Sequence, residues 1–242
     1  MKKYILIFFT FILISCSNNA TNENSKLTPE EALKKSYPNI IIESINKINN
    51  NFYEVIIKDQ IFYLTSDYQN IIYGGNLVDL ETQTNLTDIS KKNIRKEAIA
   101  NLNVNDMIVY KPKITNHVLT IFTDTSCPYC RKLHNEVGEL MKNNIEVRYV
   151  LFSRNGNSGD AYTDMVSVWC SKDKTKSLDK IFEGDFIEND DKCSNPISAN
   201  LNHAQSLSVN GTPMIFTENG DVIPGYQPSA SIVDFLKASL AN

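Results

Sequence analysis

Two cysteines spaced two residues apart stand where an apolar, strand-like run meets a helical pattern, and this junction constrains the fold most. The stretch reads FTDTSCPYCRKLH and contains Cys127 and Cys130. Residues 117–123 are apolar enough for a buried strand, and residues 127–142 carry apolar side chains at helical spacing. The sequence therefore predicts a strand-to-helix turn with both thiols at the beginning of the helix.

A helix N-terminus favours the thiolate form of a cysteine, because its unpaired N–H groups carry a partial positive charge. We therefore predict that Cys127 attacks, with Ser126 as the N-cap and Pro128 in the first turn, where it costs no helical hydrogen bond. Cys130 follows on nearly the same face and is expected to resolve the mixed disulfide. Tyr129, between the two thiols, is expected to face the substrate.

Half of a zinc site and an inert structural bridge are the two other uses of this cysteine spacing. Zinc needs four ligands, and His134 is the one further candidate near this helix, so a redox dithiol is favoured and no metal is expected. His134 itself is predicted to pack behind the dithiol rather than to act as a ligand or a base.

The first 16 of the 242 residues predict export. A basic start is followed by an apolar run over residues 4–14, too short to span a membrane, and the closing LISC resembles a bacterial lipobox that ends in the lipidated Cys16. The alternative is a simple cleaved signal with an incidental cysteine. Residues 17–25 are polar and predict a flexible tether. The predicted location is the periplasm with a lipid anchor, and Ser17 after the cysteine favours the outer membrane.

The cysteine count fits an oxidising compartment. The chain has five cysteines, and assigning Cys16 to lipid leaves four, an even number that predicts disulfides in an exported protein. Beyond the CxxC pair, Cys170 and Cys193 remain; their spacing alone does not prove that they pair, but a structural disulfide is favoured over a second redox centre. The formal net charge is −4 and no basic patch stands out, so no nucleic-acid partner is expected.

The chain divides into two blocks and a connector. Residues 26–86 begin with a short helix capped by Thr28 and continue as strand-like segments, a small and mostly β unit whose core would be marginal on its own. Residues 87–106 carry the pattern of an amphipathic linker helix. Residues 107–242 read as strand, helix, strand, helical insert, strand, strand and helix, so the fold class is α/β, or α+β for the whole chain.

A short motif, VNGTPM, precedes the predicted strand that begins near Pro213. A proline cannot donate a hydrogen bond to a sheet, so its place at the start of a strand is a special feature. The sequence leaves open whether the Thr212–Pro213 bond is cis, and an ordinary turn is the alternative.

Four motifs in this order resemble the DsbC/DsbG family of bacterial periplasmic thiol:disulfide interchange proteins. They are FTDTSCPYCRKLH, WCSKDKTKSLDKIFEG (169–184), VNGTPMIF (209–216) and VIPGYQP (222–228). MIVYK (107–111) and the strand-rich N-terminal block fit as well. The resemblance therefore covers nearly the whole mature chain.

The resemblance implies a thioredoxin-like domain with a helical insertion, preceded by a small β dimerisation domain and a linker helix. It implies a V-shaped homodimer that pairs through edge strands near residues 71–79 and encloses an apolar cleft. It also implies the following roles: Cys127 as nucleophile and Cys130 as its partner, Thr212 and Pro213 as a cis-Pro loop that binds substrate with Tyr129, and a structural disulfide between Cys170 and Cys193.

The function implied is that of a protein disulfide isomerase, which reshuffles wrong disulfides in exported proteins. It would use no dissociable cofactor, and an inner-membrane electron donor resembling DsbD would keep its dithiol reduced. The chain departs from the best-known member in its Pro-Tyr dipeptide, where that member has Gly-Tyr, and in its lipobox. A net dithiol oxidase and a chaperone-like binding lipoprotein are the alternative functions.

Overall fold

The computed structural model describes residues 27–185, 187 and 193–239. The predicted signal peptide, the tether and the lipidation site Cys16 lie outside these residues. The described part consists of an N-terminal unit over residues 27–85, a connecting segment over residues 86–106, and a C-terminal unit over residues 107–239.

The N-terminal unit is one helix packed on a small antiparallel sheet. Thr28 caps the helix as predicted: its hydroxyl accepts from the Glu31 N–H at 3.2 Å, and the Glu31 carboxylate accepts from the Thr28 N–H at 2.8 Å. The elements are α1 (Pro29–Ser36), β1 (Ser44–Lys47), β2 (Phe52–Ile57), β3 (Gln60–Thr65) and β4 (Ile71–Tyr73). The sheet order is β1-β2-β3-β4, which leaves β4 at one edge with Tyr73 exposed.

The core of this unit is small. Its fully enclosed apolar cluster contains Leu33, Val55 and Leu64. A short hairpin, β5 (Val78–Asp79) and β6 (Thr84–Asn85), then leads into the connecting helix α2 (Leu86–Ala100). The predicted linker over residues 87–106 thus corresponds to α2 and a following 3-10 turn, Val104–Asp106.

The C-terminal unit is built on a five-stranded sheet. Its strands are β7 (Ile108–Tyr110), β8 (His117–Thr123), β9 (Ile145–Leu151), β10 (Met214–Thr217) and β11 (Val222–Pro224). Their order is β11-β10-β8-β9-β7, with β8 and β9 parallel and the other pairs antiparallel. β8 is therefore the central strand, and its carboxyl end points at the CxxC.

Helices cover both faces of this sheet. They are α3 (Pro128–His134), α4 (Val137–Lys142), α5 (Asp160–Cys170), α6 (Lys174–Glu183), α7 (Ile197–Ser206) and α8 (Ser229–Ser239). One face packs against α3 to α6 and α8 through a large core that includes Leu133, Tyr149 and Met165. The other face carries Phe122 and Phe216 and is covered by α7 and the end of α2.

Two features of the helices differ from the sequence pattern. The helix predicted over residues 127–142 is broken at Asn135 and Glu136 into α3 and α4. The hydrophobic pattern of residues 197–206 does not predict helix α7, because this helix buries a polar residue on its packed face. Asn200 is 3% exposed and its amide donates to the Leu151 carbonyl at 2.9 Å, a contact that compensates its burial.

The connecting helix is held against the turn between β10 and β11. The Arg95 Nε donates to the Gly220 carbonyl at 2.8 Å, and the Lys92 ammonium lies 2.7 Å from the Asp221 carboxylate. Gly220 has a φ of +84°, and a Cβ there would clash with the Lys92 carbonyl oxygen. The close approach of α2 to this turn therefore requires glycine.

We expect Gly220→Ala to destabilise the protein by about 1–3 kcal/mol, because it combines a strained φ with a backbone clash. Urea unfolding would measure the loss. Gly138→Ala is the matched control: Gly138 lies inside α4, and a Cβ added there would meet nothing within 4 Å, so alanine should raise stability by roughly 0.5–1 kcal/mol. Equal effects of the two substitutions would contradict the assigned contact.

Candidate active site

The two thiols of the CxxC lie at the carboxyl end of the central strand, where the chain turns into α3. Cys127 is the N-cap residue of α3, with φ −85° and ψ 120°, and Pro128 is the first helical residue. The prediction that Ser126 would be the N-cap is therefore wrong. The Ser126 hydroxyl instead donates to the Asp124 carboxylate at 2.6 Å, so it is used in the preceding turn.

Cys127 lies in surroundings that favour its thiolate. Burial alone would raise its pKa, but the Thr212 side chain and the backbone N–H groups of Cys130 and Tyr129 outweigh this effect and hold the pKa below its usual value. These N–H groups belong to the first turn of α3, as predicted from the helix N-terminus. The Cys127 thiol also lies 3.2 Å from the Thr212 carbonyl oxygen.

Cys130 lies in the opposite environment. It is 0% exposed, whereas Cys127 retains 3% exposure. Burial, the largest effect, raises the pKa of Cys130 to about 12, although the Thr123 side chain and the Asp124 N–H act in the other direction. The Asp124 N–H donates to the Cys130 sulfur at 3.5 Å. The two thiols therefore ionise at very different pH values.

The loop before β10 faces the dithiol. The Thr212–Pro213 bond is cis, and the Thr212 carbonyl is the group that contacts Cys127. Tyr129 projects outward with 61% of its surface exposed. The structure thus brings Cys127, Thr212 and Pro213 together and leaves Tyr129 beside them on the surface.

An ion pair between a buried aspartate and an exposed arginine, next to the CxxC, was not predicted from the sequence. Asp124 is 1% exposed and accepts from the Arg154 backbone N–H and Nε, both at 3.0 Å. Burial would raise the Asp124 pKa, but these bonds and those from Ser126 keep it below the usual range. Asp124 lies three residues before Cys127 and could have been suspected, whereas Arg154 follows β9 and carries no local signal.

Cys170 and Cys193 form a disulfide with their Cα atoms 5.6 Å apart. It ties the end of α5 to the segment that precedes α7. The pair named from the sequence is therefore present as a covalent cross-link within the helical insert.

The described residues contain no group of three or more His, Cys, Asp and Glu side chains that could hold a metal ion. His134, the extra candidate near the CxxC, lies instead 3.0 Å from the Asp179 carboxylate. The same part of the chain contains no helix that is both long and apolar enough to cross a bilayer.

Two neighbouring thiols with pKa values shifted in opposite directions suit disulfide exchange, because the one with the lowered pKa forms the attacking thiolate more readily while the other stays protonated. The fold and the site therefore define a thioredoxin-like thiol:disulfide oxidoreductase, a class that works through a dithiol rather than a dissociable cofactor. Family models agree: a thioredoxin-like domain matches residues 104–239, and the N-terminal domain of disulfide bond isomerase proteins matches residues 18–88. The chain belongs to the DsbC family of thiol:disulfide interchange proteins.

Individual relatives give the same result. The chain is 35% identical over 182 residues to the thiol:disulfide interchange protein DsbC of Escherichia coli strain K12, covering 75% of each chain. It is 28% identical over 239 residues to DsbC of Haemophilus influenzae, covering 98% of each. Its fold resembles that of a disulfide interchange protein from Neisseria gonorrhoeae, with a TM-score of 0.50 and 23% identity over 55% of this chain and 96% of the other.

We expect the two thiols of the reduced protein to alkylate with different pH dependence. Labelling of Cys127 should persist below the usual thiol pKa of 9.0 and decline only as pH falls through its lowered pKa, because the thiolate is the reactive form. Cys130 should stay unlabelled at pH 8. Iodoacetamide labelling followed by mass spectrometry measures both, with the urea-unfolded protein as the control. Identical folded and unfolded profiles for Cys127 would contradict the assigned environment.

Proposed function

We propose that this chain isomerises wrong disulfides in exported proteins, with Cys127 as the attacking thiol and Cys130 as the resolving thiol. The observation that carries these roles is the difference between the two sulfurs. Both sulfurs are buried, but the pKa of Cys127 is lowered, whereas the pKa of Cys130 is raised to about 12.

The exchange begins when the Cys127 thiolate attacks a substrate disulfide. A mixed disulfide forms, and one substrate sulfur leaves as a thiolate. This freed thiolate can attack another disulfide of the substrate and release a different substrate thiolate. When that thiolate attacks the mixed disulfide, a new substrate disulfide forms and Cys127 leaves as a thiolate, so the enzyme is unchanged. Otherwise Cys130 attacks Cys127, so that the substrate leaves reduced and the enzyme becomes oxidised.

The substrate segment is proposed to bind beside Thr212, Pro213 and Tyr129. Tyr129 has 61% of its surface exposed next to the attacking sulfur, so it offers an aromatic contact to an unfolded chain. The contact between the Thr212 carbonyl and the Cys127 sulfur supports a place for this loop in the exchange.

We expect Cys127→Ala to abolish recovery of a scrambled multi-disulfide substrate by the purified mature protein. Cys130→Ala should retain the attack and accumulate mixed disulfides with the substrate, because no internal thiol remains to release them. Refolding in a redox buffer, with non-reducing electrophoresis, measures both outcomes. Cys170→Ala and Cys193→Ala together are the control for loss of a disulfide without loss of the CxxC. A fully active Cys127→Ala protein would exclude the mechanism.

Family membership implies dimerisation through the N-terminal unit and protein substrates that contain disulfides. We propose that β4 forms the pairing edge, since it ends the sheet and exposes Ile72 and Tyr73 by 44% and 76%. The small core of this unit supports the same assignment, because pairing would bury further apolar surface.

An inner-membrane donor resembling DsbD would keep the dithiol reduced, and a measured redox state in cells would separate this isomerase from a net oxidase.

The proposed location is the periplasm, with the protein anchored through lipid on Cys16. The sequence pattern of a basic start, an apolar run and LISC supports this proposal. Ser17, rather than an aspartate, follows the cysteine, which favours the outer membrane as the place of the anchor.

We expect Cys16→Ser to release the protein from membranes, because it removes the lipid acceptor. Fractionation of cells that express the full chain measures the distribution between membrane and soluble periplasm. Ser17→Asp is the matched variant, which should keep the lipid and move the protein to the inner membrane. A Cys16→Ser protein that stays in the membrane fraction would contradict lipid anchoring.

A further inference from the structure

A buried polar and aromatic cluster lies behind the resolving cysteine. His134 is at its centre, with its ring centroid 4.7 Å from that of Phe182, 5.7 Å from Tyr149 and 5.5 Å from Tyr110. The sequence predicted that His134 would pack behind the dithiol and would act neither as a ligand nor as a base. The mechanism outlined above uses none of these groups.

His134 is placed to reach the turn that carries Cys130. The two residues are four positions apart on α3 and therefore share one face of the helix. Helical side chains lean towards the N-terminus, so the His134 ring covers the turn before its own, which is the turn of Cys130. Tyr149 packs on this ring and belongs to the same core as Cys130.

The hydrogen bonds of His134 identify its free nitrogen. Nε2 lies 3.0 Å from the Asp179 carboxylate, so a neutral ring carries its proton on Nε2 and donates it to Asp179. Nδ1 then carries a lone pair. This nitrogen is buried and has no hydrogen-bond partner within the described part of the chain. A buried acceptor without a partner is costly, which singles out Nδ1 as a group with a use.

The ring is neutral at pH 7. Burial, the largest effect, lowers the pKa of His134, and the carboxylates of Asp179 and Glu183 on α6 only partly oppose it. The other titratable groups that face it are Tyr110 on β7, Tyr149 on β9 and Cys130 on its own helix. Burial raises the pKa of both tyrosines, so neither can take up a proton near neutral pH.

We propose that His134, oriented by Asp179, accepts the proton of Cys130 when this thiol resolves a mixed disulfide. This inference rests on the proposed role of Cys130. The need for a base is clear, because a fully enclosed thiol whose pKa is about 12 is almost entirely protonated at pH 7. His134 is the base that the cluster offers, and Asp179 is a positioning residue.

The step balances as a proton transfer followed by an exchange. The Cys130 thiol must first approach His134 Nδ1, because Nδ1 has no hydrogen-bond partner among the described residues. The thiol then gives its proton to Nδ1, and its electron pair forms the new bond to the Cys127 sulfur. The bond between Cys127 and the substrate sulfur breaks, and the substrate sulfur leaves as a thiolate. The Asp179 carboxylate stabilises the imidazolium that forms, and this ion then returns its proton to the departing thiolate or to solvent.

Asp179 also provides a route from the buried ring to water. Its side chain is 44% exposed, whereas that of His134 is 10% exposed. The Tyr110 hydroxyl donates to the same carboxylate oxygen at 2.6 Å and so fixes its orientation. A proton leaving His134 Nε2 can therefore pass through a held carboxylate to solvent.

The experiment separates attack by Cys127 from resolution by Cys130. The reduced full-length protein is mixed with oxidised glutathione, quenched in acid at set times and analysed by mass spectrometry over pH 5 to 9. Appearance of the glutathione adduct gives the attack rate, and its conversion to the internal disulfide gives the resolution rate. The proteins compared are the wild type, His134→Gln, Asp179→Asn and the exposed acid-to-amide control Glu139→Gln.

We expect His134→Gln to slow resolution at pH 7 on the order of a hundredfold, with the attack rate unchanged. Its resolution rate should then rise with pH as hydroxide replaces the base. In the wild type, resolution should decline as pH falls through the lowered His134 pKa. Because Asp179 raises that pKa, Asp179→Asn should move the decline to lower pH and reduce the rate above it. Glu139→Gln should behave as the wild type.

A His134→Gln protein that resolves at the wild-type rate and with the wild-type pH profile would overturn the proposal. So would equal losses of attack and resolution, since these would indicate a packing role. If His134→Gln does not fold, Asp179→Asn decides, and an unshifted pH profile overturns the proposal. A wild type that never forms the adduct would instead contradict the proposed function itself.

Discussion

The N-terminus of α3, set at the carboxyl end of the central strand β8, is the constraint on which the site depends. It places Cys127 where backbone N–H groups stabilise a thiolate, and one turn later it carries Cys130 into the core. Two cysteines that are close in sequence thereby acquire pKa shifts in opposite directions. The ion pair between Asp124 and Arg154 stabilises this arrangement, because it holds the turn that precedes α3.

The core that encloses Cys130 also makes a base necessary for its deprotonation. A thiol that is protected from solvent does not react with stray oxidants, but it cannot lose its proton to water either. The cluster around His134 meets this requirement with a neutral ring that packs on aromatic side chains and reaches solvent through Asp179. The buried thiol of Cys130 can react because the base beside it is also buried.

The connection between the two units is a second consequence of local geometry. The helix α2 is held by Arg95 and Lys92 against the turn at Gly220, and the close approach is possible because that residue lacks a Cβ. The helix therefore belongs to both units: it continues from the N-terminal hairpin and packs its end into the core beside α7.

The family and the fold class predicted from the sequence are confirmed, because the motifs around the CxxC and VNGTPM are contiguous and each carries its own chemistry. Three features were not predicted correctly from the sequence: helix α7, the break between α3 and α4, and the N-cap at Cys127. Each depends on its surroundings in the fold, such as the contact of Asn200 with Leu151. The sequence by itself determined the family, the fold class and the position of the CxxC between a strand and a helix. Only the tertiary structure decided how Cys127, Cys130 and His134 ionise. The partners that set their pKa values come from separate parts of the chain, including the loop at Thr212 and the helix that carries Asp179.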